Sequence, residues 1–158
     1  VQTIAHLGDS IGLYFQTFEF NASIYYLLRW VGFQIVGYNM IATIGPMLAG
    51  LTFLGIVAFS FLEKNAGIEK VPKAILAILT IYLLLATTVH PWYLTPLLAF
   101  GCLTSYRFPF VWSFLILFSY ATYRTEAYEE VMWLTAIEYL VVTGYLIWEL
   151  RSKLNTKH

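Results

Sequence analysis

Apolar positions recur along this chain with two rhythms, one helical and one unbroken. From Asn21 onward Ile24, Leu27, Leu28, Val31 and Ile35 fall at helical spacing, while Asn21, Tyr25 and Arg29 lie four apart on another face. This pattern predicts an amphipathic helix at a membrane interface, with Asn21 as its N-cap and the polar stripe facing water. Met40 to Leu62 carries no charge; at 1.5 Å per residue it rises about 34 Å, enough to cross a hydrocarbon core of roughly 30 Å. Gly45-Pro46 is expected to kink this helix, and Gly50 and Gly55 to allow close packing. Beyond a polar loop, Glu63 to Lys73, a second span is predicted from about Pro72 to Val89. Leu94 to Tyr106 would rise only about 20 Å as a helix, so it reads as a short crossing or a re-entrant turn. A fourth span is expected over Phe108 to Tyr123 and a last one over Val131 to Leu150. Residues 1 to 19 are mixed in character, with Asp9-Ser10-Ile11-Gly12 reading as a turn or a helix start.

Composition turns these runs into a class. Hydrophobic residues make up 59% of the chain, aromatic ones 18% and charged ones 11%, with a mean hydropathy of +0.70. An ordinary soluble domain has roughly 25% charged residues, so an integral membrane protein is expected. Nine Lys plus Arg balance nine Asp plus Glu, which gives no global field for nucleic acid. Cys102 is alone and His6, His90 and His158 have no ligand spacing, so neither a disulfide, a metal nor a cofactor is expected.

Charge placement arbitrates the topology. If Leu94 to Tyr106 crosses, Lys64, Lys70, Lys73, Arg107, Arg151, Lys153 and Lys157 share one side, leaving Arg29 and Arg124 on the other. The positive-inside rule favours that split. The expectation is an all-α polytopic transmembrane bundle of about five spans. Residues 1-39 form an external segment with the amphipathic helix, and residues 40-158 the bundle, with a cytoplasmic tail from 151. The acidic stretch Arg124 to Glu130 then lies outside. The first residues, Val1 to Ser10, have neither the basic start nor the apolar core of a secretory signal, and the chain is expected to be the C-terminal portion of a longer protein.

Three features carry candidate chemistry. The first is a polar and aromatic island, Thr87-Thr88-Val89-His90-Pro91-Trp92-Tyr93-Leu94, between two apolar runs. His90 can hold a phosphate there, with Trp92 and Tyr93 packing on a lipid chain or sugar; the alternative is an aromatic belt that anchors a helix end. The second is the Asn21, Tyr25, Arg29 stripe, which lines a polar groove or is simply the wet face of an interfacial helix. Third comes Glu138, in the middle of the last span, where an ionised carboxylate costs a few kcal/mol or more. It reads as part of a proton pathway or as a neutral or paired acid bonded to a Tyr or Thr of a neighbouring helix.

The run Val89-His90-Pro91-Trp92-Tyr93-Leu94-Thr95-Pro96-Leu97-Leu98, followed by Tyr106-Arg107-Phe108-Pro109, resembles the late membrane region of bacterial GT-C glycosyltransferases, polytopic mannosyltransferase-like enzymes. Phe15 to Arg29 is similar to the external segment of the same enzymes. The resemblance implies a helical membrane fold in the bacterial inner membrane. It further implies inverting transfer of a sugar, mannose foremost, from a polyprenyl-phosphate donor to a glycan or glycolipid acceptor on the periplasmic or external face. Carried onto this chain, it gives donor-phosphate binding to His90 and Arg29, and a substrate groove to Asn21, Tyr25, Trp92 and Tyr93. The catalytic base of these enzymes lies in the first external loop, upstream of this chain, and nothing in the family pattern assigns it to Glu19 or Asp9; the fragment alone is expected to be inactive. Two other readings compete. A transporter or lipid-carrier flippase would use Glu138 and Arg29 in a substrate path, and a non-catalytic membrane assembly subunit would use neither.

Overall fold

The computed structural model describes residues 18–62, 67–124 and 129–155, and within these the protein is all-α, with six α-helices and three 3₁₀ segments. Asp9 to Gly12, expected as a turn or a helix start, lie outside the described residues, as do residues 63–66 and 125–128 of the two polar loops. The chain divides into two compact units. One comprises the described residues up to Leu62 together with Ile81–Val89; the other takes the segment up to Thr80 and everything from His90 on.

In the first unit α1, Ile24–Val36, packs on α2, Ile41–Leu62. Their shared core is Ala22, Tyr25, Tyr26, Ile41, Ile44 and Leu48, with Leu85 packed against it. Helix α1 starts at Ile24 with Ser23 at the capping position and without a side-chain cap bond, so the expected Asn21 cap is not the one used. Asn21 instead takes a left-handed backbone, φ 45°, and is fully buried; Asn tolerates that conformation better than most residues because its short side chain can bond locally. The other end of α1 stops at Gly37, also left-handed at φ 79°, whose N–H reaches the Phe33 carbonyl. An isolated parallel bridge joins Phe20 to Thr88: Phe20 N–H donates to Thr87 O at 3.1 Å and Val89 N–H to Phe20 O at 2.8 Å.

The buried face of α1 is the reverse of the expected one. Tyr25, Tyr26 and Gly32 are buried, whereas Leu27 is 68% and Ile35 77% exposed. The polar stripe therefore points into the unit and the apolar positions point out. Of the three glycines in α2, a Cβ at Gly55 would stand 3.7 Å from the Ile81 side chain, while Gly50 faces open space. Pro46 lies inside α2 and withholds the N–H that would bond one turn back.

The second unit contains the start of α3, Val71–Leu85, then α4, Leu94–Cys102, α5, Phe108–Leu115, and α6, Met132–Asn155. Pro91–Tyr93 and Ile116–Arg124 are 3₁₀ segments, the latter continuing α5. Pro72, Pro96 and Pro109 all fall in a first helical turn, where the missing N–H has no intrahelical partner to lose. Helices α4 and α5 form a tight hairpin, because Gly101 lets Pro109 approach to 3.0 Å of where a Cβ would stand. Trp112, Leu97, Leu94 and Ile116 are fully buried.

The five-span expectation does not hold. One described helix, over Ile41–Phe61, is long and apolar enough to cross a membrane. Helix α3 has 15 residues, α4 nine and α5 eight, so at 1.5 Å per residue they rise about 22, 14 and 12 Å. An apolar run is not always one continuous helix: α3 stops at Leu85, before the island, and the run after Phe108 changes to 3₁₀ geometry at Ile116. With the crossings goes the charge split that depended on them.

Candidate functional site

Four polar side chains converge in the first unit. The bridge to Thr87–Val89 fixes the backbone on both sides of Glu19, helped by Thr88 Oγ1, which donates to Phe18 O at 3.1 Å. Glu19 accepts from Tyr25 OH through Oε2 and from Arg29 Nη1 through Oε1 in an ion pair. Asn39 Nδ2 donates to the same Oε2 at 3.3 Å, and its Oδ1 accepts from Ile41 N–H at 3.1 Å at the start of α2. Tyr25 OH also lies 3.0 Å from Asn39 Oδ1; its one proton serves two acceptors, and the carboxylate is the stronger. Burial, then the bond and charge of Glu19, push the Tyr25 hydroxyl well above its ordinary value, with Asn39 and Arg29 pulling weakly the other way. Tyr25 is therefore a neutral donor. The Arg29 guanidinium stands 4.6 Å over the Tyr26 ring.

Arg29 and Glu19 each remain 24% exposed. The cluster is thus closed on its inner side by Tyr25 and Asn39 and open to its surroundings on the other. Three donors occupy a carboxylate with about four acceptor positions, so Glu19 can take one more proton-bearing partner. An anion reaching Arg29 has to compete with Glu19.

The island is divided between the units: Thr87–Val89 belong to the first and His90 onward to the second. His90 is buried, its ring stacked on Trp92 at 4.3 Å and 8°, with Tyr93 edge-on at 5.3 Å. Burial lowers the imidazole below its ordinary value, so the ring is neutral at pH 7 and acts through a hydrogen bond rather than as a cation. Trp92 keeps 56% of its surface exposed although His90 covers one face. Pro91 opens the 3₁₀ turn that presents both rings, and Tyr93 N–H closes it on His90 O at 2.9 Å. Arg29 and His90, paired by the resemblance as phosphate ligands, thus fall in separate units, as do Asn21 and Tyr25 on one hand and Trp92 and Tyr93 on the other.

Two carboxylates are buried in the second unit. Glu138, 1% exposed, accepts from Trp112 Nε1 at 3.0 Å, a donor beyond the Tyr or Thr expected from the sequence. Glu149, 5% exposed, takes Arg107 N–H at 2.8 Å on Oε1 and 3.0 Å on Oε2, and Phe108 N–H at 3.1 Å on Oε2. It caps α5 from another helix, an anion on the positive end of the dipole. One turn later Lys153 Nζ donates to Ser105 O at 2.9 Å and Ser105 Oγ at 2.8 Å and lies 4.7 Å from the Tyr106 ring centre. Neither Glu149 nor Lys153 stood out in the sequence; their spacing of four on one face was the available signal. Among the described residues no three His, Cys, Asp or Glu side chains gather as a metal site would need.

The residues therefore define an all-α protein with an open carboxylate cluster in one unit and an imidazole on an indole in the other. The chain matches no protein-family model, no curated protein and no solved structure.

Proposed function

We propose that the chain is part of an integral membrane glycosyltransferase of the bacterial inner membrane, moving a sugar, mannose in the first instance, from a polyprenyl-phosphate donor to an external glycan or glycolipid acceptor. The observation that carries this reading is the island: a half-exposed indole offers a stacking surface for a sugar or an isoprenoid, and the neutral His90 beside it offers a hydrogen bond to a phosphate oxygen. In the reaction the acceptor oxygen bonds to the anomeric carbon as the carbon–oxygen bond to the lipid phosphate breaks, and a base takes the acceptor proton. His90 stabilises the leaving phosphate. No described residue is assigned as the base. A flippase path through Glu138 has less support, since that acid is enclosed and already bonded to Trp112.

The test is sugar transfer from polyprenyl-phosphate mannose in membranes carrying the full-length parent protein, at matched expression of wild type, His90→Ala and Glu138→Gln. A loss of about a hundredfold in His90→Ala, about 2.7 kcal/mol of transition-state stabilisation, with Glu138→Gln near wild type, is the expected result. Equal activity in His90→Ala would reduce the island to an anchor, and no transfer by wild type would remove the donor assignment.

A further inference from the structure

Helix α6 is built inside out. Its buried residues are Thr135, Glu138, Tyr139, Val142 and Glu149, two of them acids. Its exposed residues between Trp133 and Trp148 are apolar apart from Thr143 and Gly144: Ile137 is 46%, Leu140 73%, Val141 45% and Ile147 45% exposed. In water this arrangement is unfavourable twice over. Each Leu or Ile left exposed forgoes the gain of burying its apolar surface, while each enclosed carboxylate must recover its lost hydration from fixed donors. Those donors are present, Trp112 for Glu138 and the α5 backbone for Glu149. The neighbouring surface repeats the pattern, with Phe110, Phe114, Leu117 and Phe118 exposed at spacings of four, seven and eight along α5 and the 3₁₀ segment after it. In the first unit α1 likewise exposes Leu27, Trp30, Val31 and Ile35 and buries its tyrosines.

We propose that the face of α6 carrying Trp133, Ile137, Leu140, Val141, Ile147 and Trp148 lies against the acyl chains of a lipid bilayer. Its dimensions fit that occupant. Val131 to Leu150 rises about 30 Å, the thickness of a hydrocarbon core. Glu130 precedes this stretch and Arg151 follows it; the charged residues between them are Glu138 and Glu149, both turned inward. Trp133 and Trp148, 63% and 61% exposed, stand near the two ends, where indoles favour the interface between headgroups and chains. This inference rests on the membrane part of the glycosyltransferase reading and not on its chemistry.

The experiment uses the full chain with Cys102→Ala, single cysteines at Leu140, Trp133 or Thr135 carrying nitroxides, and phosphatidylcholine vesicles. Collisions with oxygen, which concentrates in hydrocarbon, are compared with those of a water-soluble nickel chelate. At Leu140 the ratio of oxygen to chelate collisions is expected to exceed that at Trp133 by about tenfold, and a label at Thr135 is expected to be shielded from both. Chelate access at Leu140 equal to that at Trp133 overturns the proposal in favour of water, and shielding of Leu140 from both reagents overturns it in favour of a protein partner or a second copy. Sugar transfer plays no part in the readout, so failure of the enzymatic reading is seen separately.

Discussion

Glu19 in one unit and Glu149 in the other are both carboxylates bound by several N–H or O–H donors, yet they are held in opposite ways. Glu19 is 24% exposed and its donors are side chains, one of them a cation. Glu149 is 5% exposed and its donors are the backbone N–H groups of Arg107 and Phe108. Side-chain donors can swing away toward a ligand, and solvent or a competing anion softens their loss. Backbone donors at a buried helix end have nowhere to go. The first arrangement suits a place where partners are exchanged, the second a joint that holds α5 and α6 together.

The comparison is sharpest for substitutions at the joint. Glu149→Ala leaves the Arg107 and Phe108 N–H groups, the second of them buried, without their acceptor and is expected to cost about 3 kcal/mol, read as a drop in the unfolding midpoint in detergent; Glu149→Gln, which keeps one acceptor oxygen, is expected to lose about half as much. A loss no larger than that of the Glu19 pair would erase the distinction. Next comes Trp112→Phe, which removes the indole donor from Glu138 while keeping a large ring, at about 1.5 kcal/mol. Arg29→Met, by contrast, should change stability by less than about 1 kcal/mol, because the partly exposed pair is screened; a cost of 3 kcal/mol would make this cluster a joint as well. The smallest effect expected is linked to acid. His90 has a folded-state pKa below its ordinary value of about 6.5, so the unfolded chain takes up the proton first and stability falls as pH drops below 6.5 toward the folded value. Above 6.5 this contribution is fully present, and His90→Gln should flatten that part of the stability curve relative to wild type.

Helix α2 was legible because nothing interrupts its apolar residues. The existence of α1 was legible from its period, but which face it buries was not. Periodicity finds two faces and cannot tell which is inside when the surroundings are also apolar, and here Tyr25 went in while Leu27 and Ile35 stayed out. The ends of α3 and α5 were misjudged because hydropathy continues through Ala86–Val89 and Ile116–Tyr123 while the hydrogen-bond pattern changes. Tyr25 and Arg29 were singled out as a stripe, and Glu19 was noted without a role. What ties them together is the pairing of Phe18–Phe20 with Thr87–Val89, some 70 residues away, and no local pattern encodes such a distance. Glu149 lies at the end of the expected last span, next to the basic Arg151 and Lys153, and nothing in that local pattern shows that it reaches across to another helix.

The cap on α5 also bears on how the chain is made. An eight-residue helix is too short to hold itself together in isolation, and the residue that completes its first turn lies 41 positions further along. A ribosome adding about 5–20 residues per second delivers Glu149 several seconds after Phe108. Throughout that interval the α5 segment is a nascent hydrophobic stretch with an unfinished end, and it becomes a settled helix only when Glu149 arrives.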